Sequence, residues 1–374
     1  MCRTYSFGLL SEPSLDSERY FAFRRHMMRV TDRVLAIAVL YLCQQVTGQV
    51  PISGGTRTKL PVPAAPDSEA ESTGKKATAE NTGLRSLLKQ EGFEILKLER
   101  KTLTDQKIRK RQLKHLIVEV ELNQIRAALM VDTGTPTTNV ARDKLQKFGL
   151  IEQESSSRVT SPLGAAADKF YGIAKLATLA MGNCVMQDVP VLIDAIPFID
   201  GVLGSDDMRR VGAVLDCGEP ALYCAPHGPG ADTSNKLAET LEASGFTKVP
   251  MRLGSDHRLE VSCSIDGIPS TIIVDTGSLI TCADNSIAAM AGITIKSTKT
   301  VVLGSGGASA PVRIGRVKQL AIGDFKIRGA DIVFVDLPKT DFPSAYILGI
   351  GELVSNNAII DLGALSLYLR HPSN

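Results

Sequence analysis

The sequence predicts an all-β fold with minor helix, organised as two similar halves. Three observations carry that expectation: landmarks that recur at a near-constant offset, short apolar or alternating runs of strand length, and Gly, Pro, Asn and Asp between those runs. The 374 residues include 32 Gly and no Trp, which suits many turns. Hydrophobic residues at 44% and charged residues at 22% are ordinary globular composition, so neither a fibrous nor a wholly disordered protein is expected. At roughly 150 residues per domain, the length predicts two domains plus extra segments.

The repeat is the strongest element of the prediction. Leu88-Lys-Gln-Glu-Gly-Phe93 matches Leu241-Glu-Ala-Ser-Gly-Phe246, each reading as a short amphipathic helix stopped by Gly. Ala128-Leu-Met-Val-Asp-Thr-Gly134 then matches Thr271-Ile-Ile-Val-Asp-Thr-Gly277 at an offset of 143. Val202-Leu-Gly204 matches Ile347-Leu-Gly349, and Val214-Leu-Asp216 through Tyr223 matches Ile359-Ile-Asp361 through Tyr368, at an offset of 145. Within the halves, strands are predicted at Leu116–Leu122, Ala174–Met181, Val189–Ile193, Val312–Ile322 and Asp331–Val335. Short helices are predicted at Ala141–Phe148, after Asn139, and at Ser286–Ala291.

The N-terminal region has a different character. Arg24, Arg25, Arg29 and Arg33 lead into the apolar run Val34–Cys43 and then into polar Gln44–Gln49, the layout of a secretory signal peptide. The run is about ten residues, short of the roughly 20 that a membrane-spanning helix needs. The leading part is long, which leaves Met27 or Met28 open as the true start. A lipoprotein reading through Cys43 is weakened by bulky Leu42 before it. Residues 51 to 83 are Pro, Ser, Thr, Ala and charge without apolar periodicity and read as a spacer. The expected organisation is a signal peptide over 1–48, a disordered linker over 49–83, a first lobe over 84–225, a linker over 226–235 and a second lobe over 236–374. The localisation that follows is extracytoplasmic, with no membrane contact beyond export.

A net charge of +2 is too balanced for the basic face that phosphate neutralisation requires, so nucleic acid is not expected as a partner. Cys184, Cys217, Cys224, Cys263 and Cys282 lie beyond the signal segment. An odd number implies no full disulfide framework; Cys217 and Cys224 flank a turn and could meet across a hairpin, or all five are small buried hydrophobes. The five His (26, 115, 227, 257, 371) lack metal or triad spacing, most being expected to face solvent, and no C-x-x-C occurs. No metal or cofactor is implied. The basic run Lys107–Lys114, absent from the second half, reads as a solvated loop, with a nick site or acidic-partner contact as the alternative.

Chemistry concentrates at two places. Val131-Asp132-Thr133-Gly134-Thr135 and Val274-Asp275-Thr276-Gly277-Ser278 each end an apolar strand in an aspartate. Such a carboxylate is expensive to ionise unless hydrogen bonds or function justify it. Gly directly after Asp-Thr permits a tight turn and close approach of another group. One Asp-Thr-Gly is a common turn sequence, but two at equivalent points of a duplication are far more specific.

With these motifs the sequence resembles the aspartic peptidase superfamily, which includes pepsin-like and retropepsin-like enzymes. The second family hallmark, an apolar-apolar-Gly segment passing behind the Asp-Thr-Gly loop, is matched by Val202-Leu203-Gly204 and Ile347-Leu348-Gly349, 70 and 72 residues beyond Gly134 and Gly277. The resemblance covers about residues 84 to 374. It implies a bilobal acid-protease fold, two β-barrel-like lobes related by a pseudo-twofold, with Asp132 and Asp275 sharing one proton and activating a water. Thr133 and Thr276 would interlock the loops, while Thr135 and Ser278 would hydrogen-bond the carboxylates. Hairpin flap tips would fall at Ser161–Ala165, with Gly164, and at Gly304–Ala308, with Gly306 and Gly307, although a plain flexible turn is equally open for the second. No flap tyrosine stands at either tip, and Tyr171 comes too late in its strand to be given that role. Two flaps point toward a fused retropepsin-like pair. Asp216 and Asp361 read as hairpin turn residues. The expected function is an endopeptidase acting on polypeptide, monomeric with intramolecular lobe pairing and acidic to mildly acidic in optimum. The alternatives are a catalytically inactive peptide-binding or structural module on the same duplicated fold, and pairing of lobes between chains.

Overall fold

The computed structural model describes residues 77–103, 107–108, 111–112, 114–154, 158–161, 164–225, 231–303, 309–336 and 346–372. The signal-peptide reading, most of the 49–83 linker, His26, His227, Gly306 and Gly307 lie outside these residues.

Alternation of apolar and polar residues sets the first-lobe strands. β1 (Glu94–Lys97) and β2 (Glu99–Lys101) follow helix α1 (Ala77–Gln90). Next come β3 (His115–Leu122), β4 (Ile125–Asp132), β5 (Asn139–Ala141), the hairpin β6 (Arg158–Ser161) and β7 (Gly164–Phe170), β8 (Gly172–Met181), β9 (Cys184–Asp194) and β10 (Gly201–Gly204). Helix α2 (Ser205–Arg210), β11 (Val214–Asp216) and β12 (Ala221–Cys224) complete the half. The order β8-β9-β5-β10-β4-β3 closes on itself because β8 also pairs with β3, at Leu179↔Leu122 and Ala180↔Glu121. The ring is a barrel whose inward side chains, among them Leu116, Leu129, Leu176 and Leu203, are fully buried. Each such burial contributes roughly 1.5–3 kcal/mol.

The second half repeats this with broken strands. Helix α3 (Ala231–Ala243), β13 (Thr247–Pro250), β14 (Leu259–Ile265), β15 (Ile268–Asp275), β16 (Cys282–Asp284), α4 (Asn285–Met290), the hairpin β17 (Ile295–Leu303) and β18 (Ser309–Arg316), β19 (Gln319–Ile322) and β20 (Phe325–Arg328) come in order. After them are β21 (Asp331–Val335), β22 (Tyr346–Gly349), α5 (Ile350–Ser355), β23 (Ile359–Asp361) and β24 (Ser366–Leu369). The expected single strand Val312–Ile322 is two, β18 and β19, bent at Val317 and Lys318 opposite Gly329, whose φ is +62. The two pieces keep different neighbours: β18 pairs with β21, and β19 pairs with β14, which also pairs with β15.

A six-stranded sheet, β1-β12-β11-β23-β24-β13, takes three strands from each half. At its centre β11 meets β23 antiparallel with Leu215 opposite Ile360, which are equivalent residues at the 145 offset, so the pseudo-twofold passes between them. Helices α1 and α3 touch each other, and Leu84, Leu88, Phe93, Tyr223, Leu237, Leu241, Phe246 and Tyr368 form a second small core. Both helices end as the sequence predicts: Gly92 and Gly245 each take φ +81, and the next amide, of Phe93 or Phe246, closes onto Leu88 or Leu241.

Several expectations are corrected. Helix α1 begins at Ala77, inside the predicted 49–83 linker, and α3 begins at Ala231, inside the predicted 226–235 linker; both bury leucines from their later turns in the second core. Instead of a helix over Ala141–Phe148 there is strand β5 and a single 3-10 turn at Arg142–Lys144, because Asn139–Ala141 is taken up by β9 and β10. The basic run forms a minimal hairpin, Lys107–Ile108 with Arg111–Gln112. His115 is buried, its pKa pulled down to about 4 by desolvation. Cys217 and Cys224 do not face each other: β11 and β12 pair Val214 with Tyr223 and Asp216 with Ala221, which puts the two thiols at opposite ends of the hairpin. All five cysteines are buried and free.

Candidate active site

Strands β4 and β15 deliver Asp132 and Asp275 to one place. Each is flanked by its apolar-apolar-Gly strand in parallel register, Gly204 beside Asp132 and Gly349 beside Asp275. Gly204 has no room for a side chain: a Cβ would fall 2.5 Å from Pro136 O and 2.7 Å from Thr138 N. A Cβ on Gly349 would fall 2.8 Å from Ile280 N. Val202, Leu203, Ile347 and Leu348 are buried beneath the loops.

The loops lock by exchange. Thr133 N donates to Thr276 Oγ1 at 3.0 Å and Thr276 N donates to Thr133 Oγ1 at 3.1 Å. Thr133 Oγ1 in turn donates to Val274 O at 2.7 Å, and Thr276 Oγ1 donates to Val131 O at 2.8 Å. Four buried backbone groups are thereby satisfied by two hydroxyls. The exchange brings each glycine against the opposite carboxylate: a Cβ on Gly134 would lie 2.6 Å from Asp275 Oδ1, and one on Gly277 would lie 2.6 Å from Asp132 Oδ1. Asp132 and Asp275 are fully buried and hydrogen-bond one another, which requires a proton on one of them.

Support for the pair is unequal. Asp132 Oδ1 accepts from Gly134 N at 2.8 Å and Thr135 N at 3.2 Å, and its Oδ2 accepts from Thr135 Oγ1 at 2.8 Å. Asp275 Oδ1 accepts from Ser278 N at 2.9 Å, and no donor among the described residues reaches its Oδ2. Ser278 does not place its hydroxyl on the carboxylate as expected: that group donates to Ile280 O at 2.9 Å. Burial raises the pKa of both carboxyls, offset at Asp132 by its donors and reinforced at Asp275 by the charge of Asp132. The shared proton therefore belongs with Asp275.

Residues the motifs did not single out surround the pair. Thr138 and Thr281, each six residues after its aspartate, accept from Gly204 N and Gly349 N at 3.1 Å. Thr281 Oγ1 donates to Glu352 at 2.5 Å, and Thr138 bonds the equivalent Asp207. The repeated Thr in Thr135-Pro-Thr-Thr138 and Ser278-Leu-Ile-Thr281 was a readable signal. Arg258, at the position equivalent to His115, is a buried guanidinium 3.3 Å from Asp256 Oδ2, and the charges of Asp275 and Asp132 also act on it. Tyr171 is buried where Asp194, Arg258 and Asp132 all act on its hydroxyl, and burial holds its pKa far above the usual range.

Among the remaining expected residues, Gly164 opens strand β7 opposite Ser161. In the second lobe Leu303 pairs with Ser309, so the described strands carry an equivalent hairpin. Asp216 and Asp361 are turn residues, accepting from Glu219 N at 2.8 Å and Ala364 N at 2.9 Å.

Comparison with known proteins follows this geometry. No curated protein matches the chain. Solved structures to which the chain is similar include an aspartic proteinase from Irpex lacteus, at 14% identity and a TM-score of 0.45, covering 75% of this chain and 98% of that one. Conglutin gamma, a basic 7S globulin from lupine seeds, matches at 12% and 0.42, covering 75% and 95%. A retropepsin-like aspartic protease from Rickettsia conorii matches at 14% and 0.28, covering 36% and 91%. The family profile described as Aspartyl protease matches twice, over residues 118–206 and 261–351. Each match contains one Asp-Thr-Gly loop and its own apolar-apolar-Gly strand, and the chain carries an internally duplicated aspartic protease fold.

Proposed function

We propose that the chain is an aspartic endopeptidase in which Asp132 and Asp275 activate a water against a peptide carbonyl. The single observation that carries this reading is the unequal hydrogen bonding of two touching carboxyls, which separates one base from one acid. Ionised Asp132 takes a proton from the water as its oxygen attacks the scissile carbon, and Asp275 gives its proton to the carbonyl oxygen. The tetrahedral diol collapses as the C–N bond breaks, the amine nitrogen taking the proton held by Asp132, and Asp275 recovers its own. Loop exchange through Thr133 and Thr276 fixes the two groups, as near-attack geometry demands. The substrate is polypeptide in extended form between the lobes, and one chain suffices because it carries both carboxylates. Release of the protein outside the cytoplasm through residues 1–48 is part of the proposal, checked by N-terminal sequencing of the mature protein.

Complete burial of both carboxylates is the observation that favours a second reading, a peptide-binding module without turnover. The two separate in one experiment: cleavage of unfolded protein from pH 3 to 8, with and without pepstatin, by wild type, Asp132→Asn and Asp275→Asn. The proposal expects acid cleavage that pepstatin blocks and that each substitution abolishes. Cleavage surviving both substitutions overturns the assignment, and a folded wild type that binds peptide without cutting it establishes the second reading.

A further inference from the structure

We propose that Cys184 and Cys224 are a disulfide site that staples the first-lobe barrel to the six-stranded sheet between the lobes. Both are free thiols in the structure, buried in the apolar core and close enough for each to act on the other's ionisation. Backbone register brings them together independently of that contact. Glu94 of β1 stands opposite Cys224 of β12, and the Glu94 carboxylate accepts the amide of Asn183, the residue just before Cys184. Gly182, at φ +59, makes the turn into β9 against the Glu94 carboxylate. The same side chain thus holds the turn that leads into one cysteine while its backbone pairs with the other.

Among the described cysteines, Cys184 and Cys224 are the two whose thiols act on one another. Cys217, Cys263 and Cys282 are raised by burial, first of all causes, and none of them has a sulfur partner among the described residues. In the pair, the neighbouring thiol lowers Cys184 and raises Cys224. One thiolate of the pair displaces one thiol from a disulfide donor such as oxidised glutathione, giving a mixed disulfide; the other thiolate then attacks the sulfur so linked and releases the second thiol. Two electrons pass to the donor and two protons leave the pair. The segment closed by the link, residues 184 to 224, includes Val202-Leu203-Gly204, so the strand behind the Asp132 loop sits inside the covalent ring.

The test is refolding of the full chain in a glutathione buffer, oxidised or fully reduced, followed by alkylation under denaturing conditions and peptide mapping. Oxidised protein is expected to show a Cys184–Cys224 linked peptide with the other cysteines alkylated, and a thermal midpoint about 5 °C or more above the reduced form. Cys184→Ala and Cys224→Ala remove the link and that difference, whereas Cys217→Ala keeps both. If either pair variant fails to fold, the wild-type map decides alone. Full alkylation of every cysteine in the oxidised sample, or a link joining any other pair, overturns the proposal.

Discussion

Replacing Thr276 by Val isolates what the interlobe exchange contributes. Valine keeps the shape and removes the hydroxyl, leaving the Thr133 amide, now 3.0 Å from that oxygen, and the Val131 carbonyl, 2.8 Å away, unpaired. The site is fully buried, so water does not replace the lost partners. Each orphaned buried group costs about 1–3 kcal/mol, which gives about 2–6 kcal/mol for the substitution. Thr276→Ser keeps both hydrogen bonds and loses a methyl group, a loss of about 1 kcal/mol. Denaturant unfolding of wild type, Thr276→Val and Thr276→Ser measures the contrast directly, and Thr133→Val should behave like Thr276→Val because its bonds are the mirror of these. A valine variant within about 0.5 kcal/mol of wild type, or a serine variant as unstable as the valine one, would refute the exchange as a stabilising device.

Gly134→Ala drives a methyl group into the Asp275 carboxyl, which must move; cleavage is expected to fall by about a hundredfold or more, read as kcat/KM on an unfolded protein substrate. Both carboxyls have folded pKa values raised above their unfolded ones. Their stability contribution is therefore full below the unfolded value and lost as pH rises through the folded value, and Asp275→Asn should flatten that loss in unfolding curves taken from pH 3 to 8. Asp216 follows the same sign with a folded value of about 7, so Asp216→Asn gains stability on wild type as pH rises from about 4 to 7. Arg258→Met removes a cation that favours ionised Asp275, so the descending limb of the cleavage profile should move to higher pH, with Arg258→Lys restoring it; an unmoved limb would sever Arg258 from the dyad.

Sequence made the two aspartates legible because strand periodicity and duplication point to the same residues: Val131-Asp132 and Val274-Asp275 end apolar runs at one offset, each with a later apolar-apolar-Gly segment. The central sheet was not legible. Its pairing of Leu215 with Ile360 joins three-residue strands from the two halves, too short for a period and too distant for a local signal. The ends of helices α1 and α3 were legible from Gly92 and Gly245 but their starts were not, since α1 opens in a polar stretch and α3 follows Pro and Gly that suggested a break. Ser278 matched the family pattern by residue type, yet its hydroxyl turns to Ile280 O, a choice of rotamer that no motif encodes.

That rotamer belongs to a wider difference between the halves. A pair of identical lobes would give its two carboxyls the same donors and leave the shared proton without a preferred side. Here the backbone devices that must be symmetric for the lobes to fit are kept: the threonine exchange, the glycine contacts and the Thr138 and Thr281 supports. The groups that set charge have diverged. Thr135 gives its hydroxyl to Asp132 while Ser278 withholds its own from Asp275, and buried Arg258 answers a His115 that desolvation keeps neutral. Duplication within one chain allows this, because each position mutates separately, whereas an assembly of identical chains repeats every change on both sides. The unequal support of Asp132 and Asp275 therefore follows from covalent fusion of the lobes. Restoring symmetry by Thr135→Ser alone should leave it intact, since the serine hydroxyl still reaches Asp132, while Thr135→Val should erase most of it.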